Sequence, residues 1–297
     1  MMRVTQRNLS AGVESNLQAS MARTQRLQEK LSSGRELARP SDSPTDVSVA
    51  LEYRANIRRS DQLIRNADDG LDMLSAADTA LTGTLDVLRR ARELAIRGAN
   101  ATLGASDREA LAIEVDRLRE QTLSFANTQH LGRPLFSGTA GAAPAGDAAY
   151  TSAGVYNGDD GSVERSIAPG LSVTVNVTGP AAFGPAGANV FSALAKLAAD
   201  LRTAPSQLAP NDVSAIDEAY TRVTATLATV GARMNHVDSV RSQTDTSKAH
   251  QTEVLGRMEG VDIAKTVLDL QLQQTAYQAA LASAARVIQP SLMDFLR

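Results

Sequence analysis

The chain has 297 residues and a formal net charge of −3, with 30 basic and 33 acidic side chains. It is 43% hydrophobic but only 3% aromatic, and it contains no cysteine and no tryptophan. This composition excludes disulfides and thiolate chemistry and offers no basic field for a nucleic-acid backbone. It favours long helices packed side by side over a core rich in aromatic rings.

Nothing in the hydropathy pattern indicates a membrane protein. No apolar run is long enough to span a bilayer, and the N-terminal segment lacks the apolar core of a cleaved signal peptide. We therefore expect no membrane partner. We expect the protein either to be cytoplasmic or to be exported by a pathway that recognises a signal other than a cleaved signal peptide.

A helix is predicted from about Leu9 to Leu31, because apolar or small residues recur at steps of four and three, which is a heptad pattern. Gly34 follows the last turn, as is common after a helix C-terminus. The predicted heptad positions are Val13, Leu17, Ser20, Thr24, Leu27 and Leu31.

A second, longer helix is predicted from Pro44 to about Arg97. Ser43, Pro44 and Asp46 have the arrangement of an N-cap, a first-turn proline and a capping partner. At about 1.5 Å per residue this helix would be about 80 Å long, so it needs partner helices for stability. Gly70 and Gly83 are expected to mark local bends.

A third helix is predicted to begin at a capping box formed by Ser106 and Glu109 and to end near Gln129. The short loop between the second and third helices predicts an antiparallel hairpin.

The centre of the chain differs, because glycine, proline, serine and threonine accumulate over residues 132–187 and helical periodicity is lost. Apolar residues alternate with polar ones from Leu171 to Val177, and a second short run extends from Val163 to Ile167. Turn signals precede this run at Asn157–Gly158 and Asp160–Gly161. A small β-rich domain inserted between helices is predicted.

Helical patterns return after this insertion. A short helix is predicted over Val190–Leu201, and a long one is predicted to begin at a cap formed by Asp212 or Ser214. The apolar face of the long helix comprises Ile216, Tyr220, Val223, Leu227, Val230, Met234 and Val237. A last helix follows Gly260, with a heptad seam at Ile263, Val267, Leu270, Tyr277, Leu281, Ala284 and Ile288 that only Gln274 interrupts.

The resulting fold class is mainly α with a small β-rich inserted domain. The N- and C-terminal segments are expected to form a long antiparallel helical rod or coiled coil. The simplest interpretation of such apolar stripes is an ordinary intramolecular bundle, but they could also pack against neighbouring copies.

No catalytic or cofactor motif is recognisable. His130, His236 and His250 lie in separate segments without metal-site spacing, and no phosphate-binding or nucleophile-elbow motif is present. Asp68 and Asp69 are adjacent on a predicted helix and point apart, so they form a poor acid–base pair. We predict a protein that is not an enzyme and binds no cofactor and no metal.

Five motifs, in order along nearly the whole chain, resemble the flagellin superfamily. They are Leu31–Arg35 with Arg39–Pro44, Gly132–Gly138, Tyr156–Gly161, Pro169–Gly170 with the strand that follows, and Gly231–Asn235. Within this superfamily the beginning, Met2–Gln6, and the ending, Pro290–Leu296, are most similar to the hook-associated proteins that join the flagellar hook to the filament.

The resemblance implies an extracellular structural protein of the bacterial flagellum, exported without a cleaved signal peptide by the flagellar type III apparatus. It implies an axial junction ring or helical lattice of identical copies. The hook or another hook-associated protein would lie on one side and the filament on the other, and an export chaperone would bind the C-terminal helix. The alternatives are flagellin itself and a soluble coiled-coil interaction protein.

The resemblance also implies a division of the chain into three regions. Residues 1–40 and 260–297 would form an inner coiled-coil region for assembly, residues 41–131 and 190–259 a rod of long helices, and residues 132–189 a β-rich outer domain. The candidate assembly residues are Val13, Leu17, Leu27, Leu31, Ile263, Val267, Leu270, Tyr277, Leu281 and Ile288.

Overall fold

A computed structural model describes residues 2–36, 43–100, 103–140, 148–203 and 211–288. The helices are α1 (Met2–Ser33), α2 (Pro44–Gly98), α3 (Ala105–Ala126), α4 (Gly179–Phe183), α5 (Val190–Thr203), α6 (Val213–Glu259) and α7 (Ile263–Ile288). The strands are β1 (Gln129–His130), β2 (Arg133–Pro134), β3 (Glu164–Ala168) and β4 (Leu171–Thr174). The predicted fold class is confirmed: the protein is mainly helical, with a few short inserted strands.

The chain forms two compact units. The first comprises Met1–Arg58 and Lys248–Arg297, and the second comprises Arg59–Ser247. Two of the helices, α2 and α6, contribute residues to both units. The first unit contains the terminal helices α1 and α7, which pack against each other.

The ends of the first two helices follow their sequence signals. Gly34 adopts φ 67°, and its N–H donates to the Lys30 carbonyl at 2.9 Å, which closes α1. At the start of α2, the Ser43 carbonyl accepts from the Val47 N–H at 2.9 Å, and the Ser43 hydroxyl donates to the Asp46 carboxylate at 2.6 Å. The helix therefore begins at Pro44, where predicted.

The predicted start of α3 is wrong by two residues, because the N-cap is Gly104 and not Ser106. Gly104 is extended and is the N-cap residue, and no side chain caps this end. Its carbonyl accepts from the Arg108 N–H at 3.1 Å, so the helix already includes Ala105 before Ser106 could cap it. The expected Ser106–Glu109 capping box does not form.

The two glycines inside α2 permit close packing and do not interrupt the helix. A Cβ atom on Gly70 would lie 2.9 Å from Val175 Cγ1, and one on Gly83 would lie 2.6 Å from the Phe125 ring. The helix runs continuously through both positions. Each glycine has a steric role, because a side chain there would collide with a neighbouring element. The expected local bends stay a prediction.

The second unit has one hydrophobic core, to which α2, α3, α5 and α6 contribute. The predicted apolar face of α6 is confirmed. Four of its residues are buried, namely Ile216, Val223, Val230 and Val237. The other three are partly buried against the same core, namely Tyr220, Leu227 and Met234.

The inserted strands form two separate antiparallel pairs, β1 with β2 and β3 with β4. β4 ends at Thr174, earlier than the alternating pattern predicts. The following residues do not alternate between buried and exposed, because Val175, Asn176 and Val177 are all buried. The Asn176 side chain accepts from the Val163 N–H at 2.8 Å and donates to the Gly161 carbonyl at 2.9 Å. It therefore satisfies backbone groups that a longer strand would have paired.

Ionic and hydrogen-bond contacts connect the insertion to the helices of the same unit. Arg165 on β3 lies 2.7 Å from the Asp69 carboxylate on α2, and Arg233 on α6 donates to the Asn176 carbonyl at 2.9 Å. Asp68 pairs with Arg241. The adjacent carboxylates of Asp68 and Asp69 thus bind two different arginines.

Five aromatic side chains gather in this insertion and the adjoining helices: Phe136, Tyr150, Tyr156, Phe183 and Phe191. The Tyr156 hydroxyl lies 2.7 Å from the Asp159 carbonyl and 3.0 Å from the Phe136 carbonyl. The Tyr150 hydroxyl is buried and has no hydrogen-bond partner within the described part of the chain. Burial is the main reason that the pKa of Tyr150 lies above its ordinary value.

Replacing these two tyrosines should have opposite consequences. Tyr150→Phe removes an unsatisfied buried hydroxyl, so the free energy of unfolding should stay unchanged or rise by up to about 1 kcal/mol. Tyr156→Phe removes a satisfied hydroxyl and should lower it by about 1 kcal/mol. Urea unfolding of the full-length variants, followed by circular dichroism, measures both values. A Tyr150→Phe variant less stable than Tyr156→Phe would contradict this assignment.

The Asp159 carboxylate holds two loops together and should make stability depend on pH. It accepts from the Thr139 hydroxyl at 2.6 Å, the Thr139 N–H at 2.5 Å and the Gly161 N–H at 3.0 Å. These bonds, the Thr139 hydroxyl first, lower the pKa of Asp159 from 3.8 to about 2.

Because the folded-state pKa lies below the unfolded value, the stabilisation is complete above pH ~4 and is lost as the pH falls through about 2. Wild-type protein should therefore lose more stability than Asp159→Asn between pH 6 and pH 2.5. Asp160→Asn, at the exposed neighbouring position, is the matched control and should follow the wild type. Parallel pH profiles for wild type and Asp159→Asn would refute the role of this carboxylate.

Candidate functional site

The terminal helix pair of the first unit is the candidate functional site. The helices α1 and α7 pack in antiparallel orientation, because Arg35 bridges Gly260 at one end and Ser20 contacts Gln273 further along. Backbone bonds complete the joined end: the Glu36 N–H donates to the Glu259 carbonyl at 2.8 Å, and the Val261 N–H donates to the Gly34 carbonyl at 3.1 Å.

Side chains reinforce this joined end. Arg54 on α2 forms an ion pair with Glu259 at the end of α6, at 2.9 Å. Asp262 caps α7, because its carboxylate accepts from the Lys265 N–H at 3.0 Å. The start of the last helix is thereby defined by its own cap and by the contact of Gly260 with the end of α1.

The heptad positions predicted on α1 lie on its covered face. Within residues 11–33, where side chains are described, each of the six is half-buried, and most residues between them are exposed. Two of these positions are polar: Ser20 and Thr24. The Thr24 hydroxyl donates within its own helix to the Ser20 carbonyl at 3.1 Å.

The covered face of α7 differs from the predicted seam. Val267, Leu270 and Tyr277 are half-buried, but Ile263 is 63% exposed and Leu281 is 43% exposed. The side chain of Ile288 lies outside the described residues. Ala284, predicted on the seam, is buried. The structure adds Thr266 and Gln273 to the covered face, and Gln274, where the predicted seam was interrupted, is exposed.

A polar contact marks the middle of the pair. The Gln273 amide donates to the Ser20 hydroxyl at 2.8 Å and lies 3.4 Å from the Ser20 carbonyl. Sequence reasoning identified Ser20 as a polar seam residue but missed Gln273. The adjacent Gln274 fitted the predicted spacing from Val267, whereas the covered polar residues Thr266 and Gln273 are seven apart and lie one position earlier.

A second apolar stripe on α7 is left uncovered in the single chain. Leu268 is 66% exposed and Leu272 is 73% exposed. Within residues 263–285, where side chains of α7 are described, the stripe contains no charged residue and comprises Ala264, Leu268, Leu272, Thr275, Ala279 and Ala282. A helix that is apolar on two sides generally has neighbours on both, and the described part of the chain supplies only one.

The described residues of the second unit form polar clusters but no recognisable reaction centre. Asp212, expected as a cap, is buried and pairs with Lys196 at 2.7 Å. Burial raises the pKa of Asp212 in spite of this cation. Across the described ranges, no group of three or more metal-binding side chains occurs, and no helix is long and apolar enough to cross a membrane.

Comparison with known proteins supports the architecture over most of the chain. The N-terminal helical region of bacterial flagellin matches residues 4–141, and its C-terminal helical region matches residues 213–296. Flagellin FlaB2 of Treponema pallidum is 25% identical over 281 residues, an alignment that covers 91% of each chain.

Solved structures of flagellar proteins share the fold. A structure described as a hook-associated protein of Vibrio parahaemolyticus superposes with a TM-score of 0.67 and 23% identity, covering 74% of this chain and 100% of that one. The crystal structure of Bacillus cereus FlgL gives a TM-score of 0.59 and 19% identity, with 70% and 100% coverage.

The packed terminal helices, the inserted strands and these matches define a structural protein of the bacterial flagellar axis. The chain belongs to the flagellin superfamily. Proteins of this family polymerise in the flagellum, outside the cell, and are not enzymes, which agrees with the expectation from the sequence.

Proposed function

We propose that this protein forms the junction between the flagellar hook and the filament. The observation that carries the proposal is the fold similarity to hook-associated proteins, which extends over the full length of the Vibrio and Bacillus chains. The sequence motifs at the two ends support it. The ending, Pro290–Leu296, lies outside the described residues, so its support comes from sequence alone.

The second candidate function is flagellin, the bulk subunit of the filament. The full-length match to Treponema pallidum flagellin favours it. Both roles require an axial lattice of the same general kind, in which each copy contacts its neighbours head to tail. The two candidates differ in position and abundance: a junction protein occupies a narrow zone, whereas flagellin extends along the whole filament.

In either role, the uncovered stripe of α7 would face another copy of the chain. Exposed leucines at positions 268 and 272 leave apolar area in water, and burying it at a neighbour contact would favour polymerisation. Ile263 and Leu281 are also exposed and would add to this contact. The proposed assembly residues remain Val13, Leu17, Leu27, Leu31, Ile263, Val267, Leu270, Tyr277, Leu281 and Ile288.

The proposed arrangement divides the chain into three regions. Residues 1–40 and 260–297 form the inner assembly region, residues 41–131 and 190–259 form the rod, and residues 132–189 face outward. The proposed partners are identical copies in a ring or helical lattice, the hook or another hook-associated protein on one side and the filament on the other. Before assembly, an export chaperone binds the C-terminal helix.

Immunogold electron microscopy on intact flagella tests the junction role. We expect label in a narrow zone between hook and filament, and we expect a deletion strain to release flagellin into the medium. Complementation with the wild-type gene is the control. Label along the whole filament would instead identify the protein as flagellin, and absence of label from every external structure would reject both candidates.

A charge on the uncovered stripe should block assembly without unfolding the chain. Leu272→Asp places a carboxylate at a position that is 73% exposed in the single chain, so its circular dichroism should match the wild type. Incorporation into flagella should be lost, because the charge would be buried at a neighbour contact.

Ala276→Asp is the matched control, because it introduces the same charge at an exposed position on the side of α7 that carries Lys265 and Asp269. It should incorporate normally, as measured by immunoblotting of sheared flagella. Normal incorporation of Leu272→Asp would exclude this stripe from the assembly contacts.

A further inference from the structure

The hairpin of β1 and β2 has an unusual residue at its tip. The two strands leave a two-residue turn, Leu131–Gly132, between them, and both turn residues have positive φ, 50° and 76°. Turns of this kind favour asparagine followed by glycine, because a left-handed backbone strains a residue with a bulky side chain. Among the described residues other than glycine, only Leu131 has positive φ.

The side chain of Leu131 also lies almost entirely in water. Its exposed fraction is 84%, higher than the 73% of Leu272 on the uncovered stripe of α7. Exposure alone would be ordinary for a single apolar residue, but here it coincides with a strained backbone that asparagine would relieve. Neither the turn nor the core explains a leucine at this position, which therefore indicates a contact outside the chain.

An available positive charge lies next to this leucine. Leu131 borders an open cleft of about 470 Å³ in the second unit, and Met73, Arg133 and Arg165 line the same cleft. Arg165 is paired with Asp69, whereas Arg133 is exposed and has no ion pair within the described part of the chain. The tip patch, defined as Leu131 with Arg133, thus fits a surface that offers an apolar side chain beside a carboxylate.

The first half of α3 offers such a surface. Asp107, Ala110 and Ile113 are exposed at intervals of three residues, so each neighbours the next on the surface of the helix. Ile113 is 45% exposed, and Asp107 has no ion pair among the residues that the structure describes. This surface therefore has the apolar group and the negative charge that complement the tip patch.

The two surfaces are too far apart to meet within one chain. The tip patch lies beside Met73 of α2, whereas the first half of α3 lies near the Arg90–Glu114 ion pair, further along α2. The segment of α2 from Met73 to Arg90 alone spans roughly 25 Å. A contact between unlike surfaces at separate levels of the same rod is the kind that joins identical copies head to tail.

We propose that the tip patch contacts the first half of α3 in a neighbouring copy, with Leu131 against Ile113 and Arg133 beside Asp107. The contact rests on the proposed assembly into a lattice, but it is the same whether the protein is a junction protein or flagellin. It belongs to the second unit and is separate from the contact proposed for α7. Strain and exposure at Leu131 are then costs in the single chain that assembly offsets.

Replacing Leu131 should affect folding and assembly in opposite directions. Leu131→Asn should raise the urea midpoint of the purified full-length protein, because asparagine adopts positive φ more readily. It should lower incorporation into flagella by roughly tenfold, because a leucine contact is lost. Circular dichroism and immunoblotting of sheared flagella measure the two effects. Leu131→Met is the matched control, because it keeps an apolar side chain, and it should follow the wild type in both. Unchanged incorporation of Leu131→Asn, or a lower midpoint, would overturn the proposal.

An exchange of charges tests whether the neighbour is an identical copy. Arg133→Glu and Asp107→Arg should each reduce incorporation, because each places like charges opposite one another. The double variant restores the ion pair at every contact between copies and should recover most of the incorporation. Failure to recover would mean that the tip patch binds a different flagellar protein, and normal incorporation of both single variants would mean that the two charges do not meet. Either result would overturn the contact.

The same blots separate this contact from the proposed function. Absence of the wild-type chain from sheared flagella would reject both candidate roles, and this contact with them. Normal incorporation of the wild type together with an unaffected Leu131→Asn variant would overturn the contact alone.

Discussion

Lateral burial between helices is the interaction on which the rest of this structure depends. The longest helices, α2 with 55 residues and α6 with 47 residues, are far too long and too mixed in composition to be stable as isolated rods in water. Each carries an apolar stripe that must be covered. In the second unit the stripes of α2 and α6 enter a common core, and in the first unit α1 covers one side of α7.

The inserted segment depends on the same burial. Its strands have two to five residues, and two-stranded sheets of this size are marginal in water. They are stabilised because their buried residues join the core of the helices. Gly70 allows Val175 of the insertion to approach α2 closely, and Arg165 and Arg233 add polar contacts. The insertion is thus held by the helices of its own unit and not by a sheet of its own.

The long helices could be predicted from the sequence, because one strong signal, the three-and-four spacing of apolar residues, determines both their existence and their buried face. The α1 positions and the apolar face of α6 illustrate this. Details that depend on tertiary contacts could not be obtained this way. Asn176 fits an alternating strand pattern, yet it is buried because backbone groups of a neighbouring segment need a partner. The glycines in α2 suggest bends when only the helix itself is considered.

The sequence alone also failed to predict every residue on the covered side of α7, which belongs to the candidate site. A seven-residue repeat placed Gln274 on the seam of α7, whereas the structure places Gln273 there, next to Ser20. The predicted seam residues Val267, Leu270, Tyr277 and Ala284 stay on the covered side, so the face turns by less than the roughly 100° between adjacent residues. The turn is still enough to leave Ile263 and Leu281 exposed. Counting apolar residues cannot determine which side of α7 packs against α1, because α7 is apolar on two sides and either side could do so.

A subunit that must both fold and polymerise benefits from this division of α7. One stripe, which includes Val267, Leu270 and Tyr277, is covered by α1 within the chain. The other stripe, with Leu268 and Leu272, remains exposed in the single chain and is available for the proposed neighbour contact. Because a head-to-tail contact repeats at every copy in a filament or ring, each added subunit would bury its exposed stripe once. The apolar area left outside the fold would therefore contribute to assembly and not to the stability of the single chain.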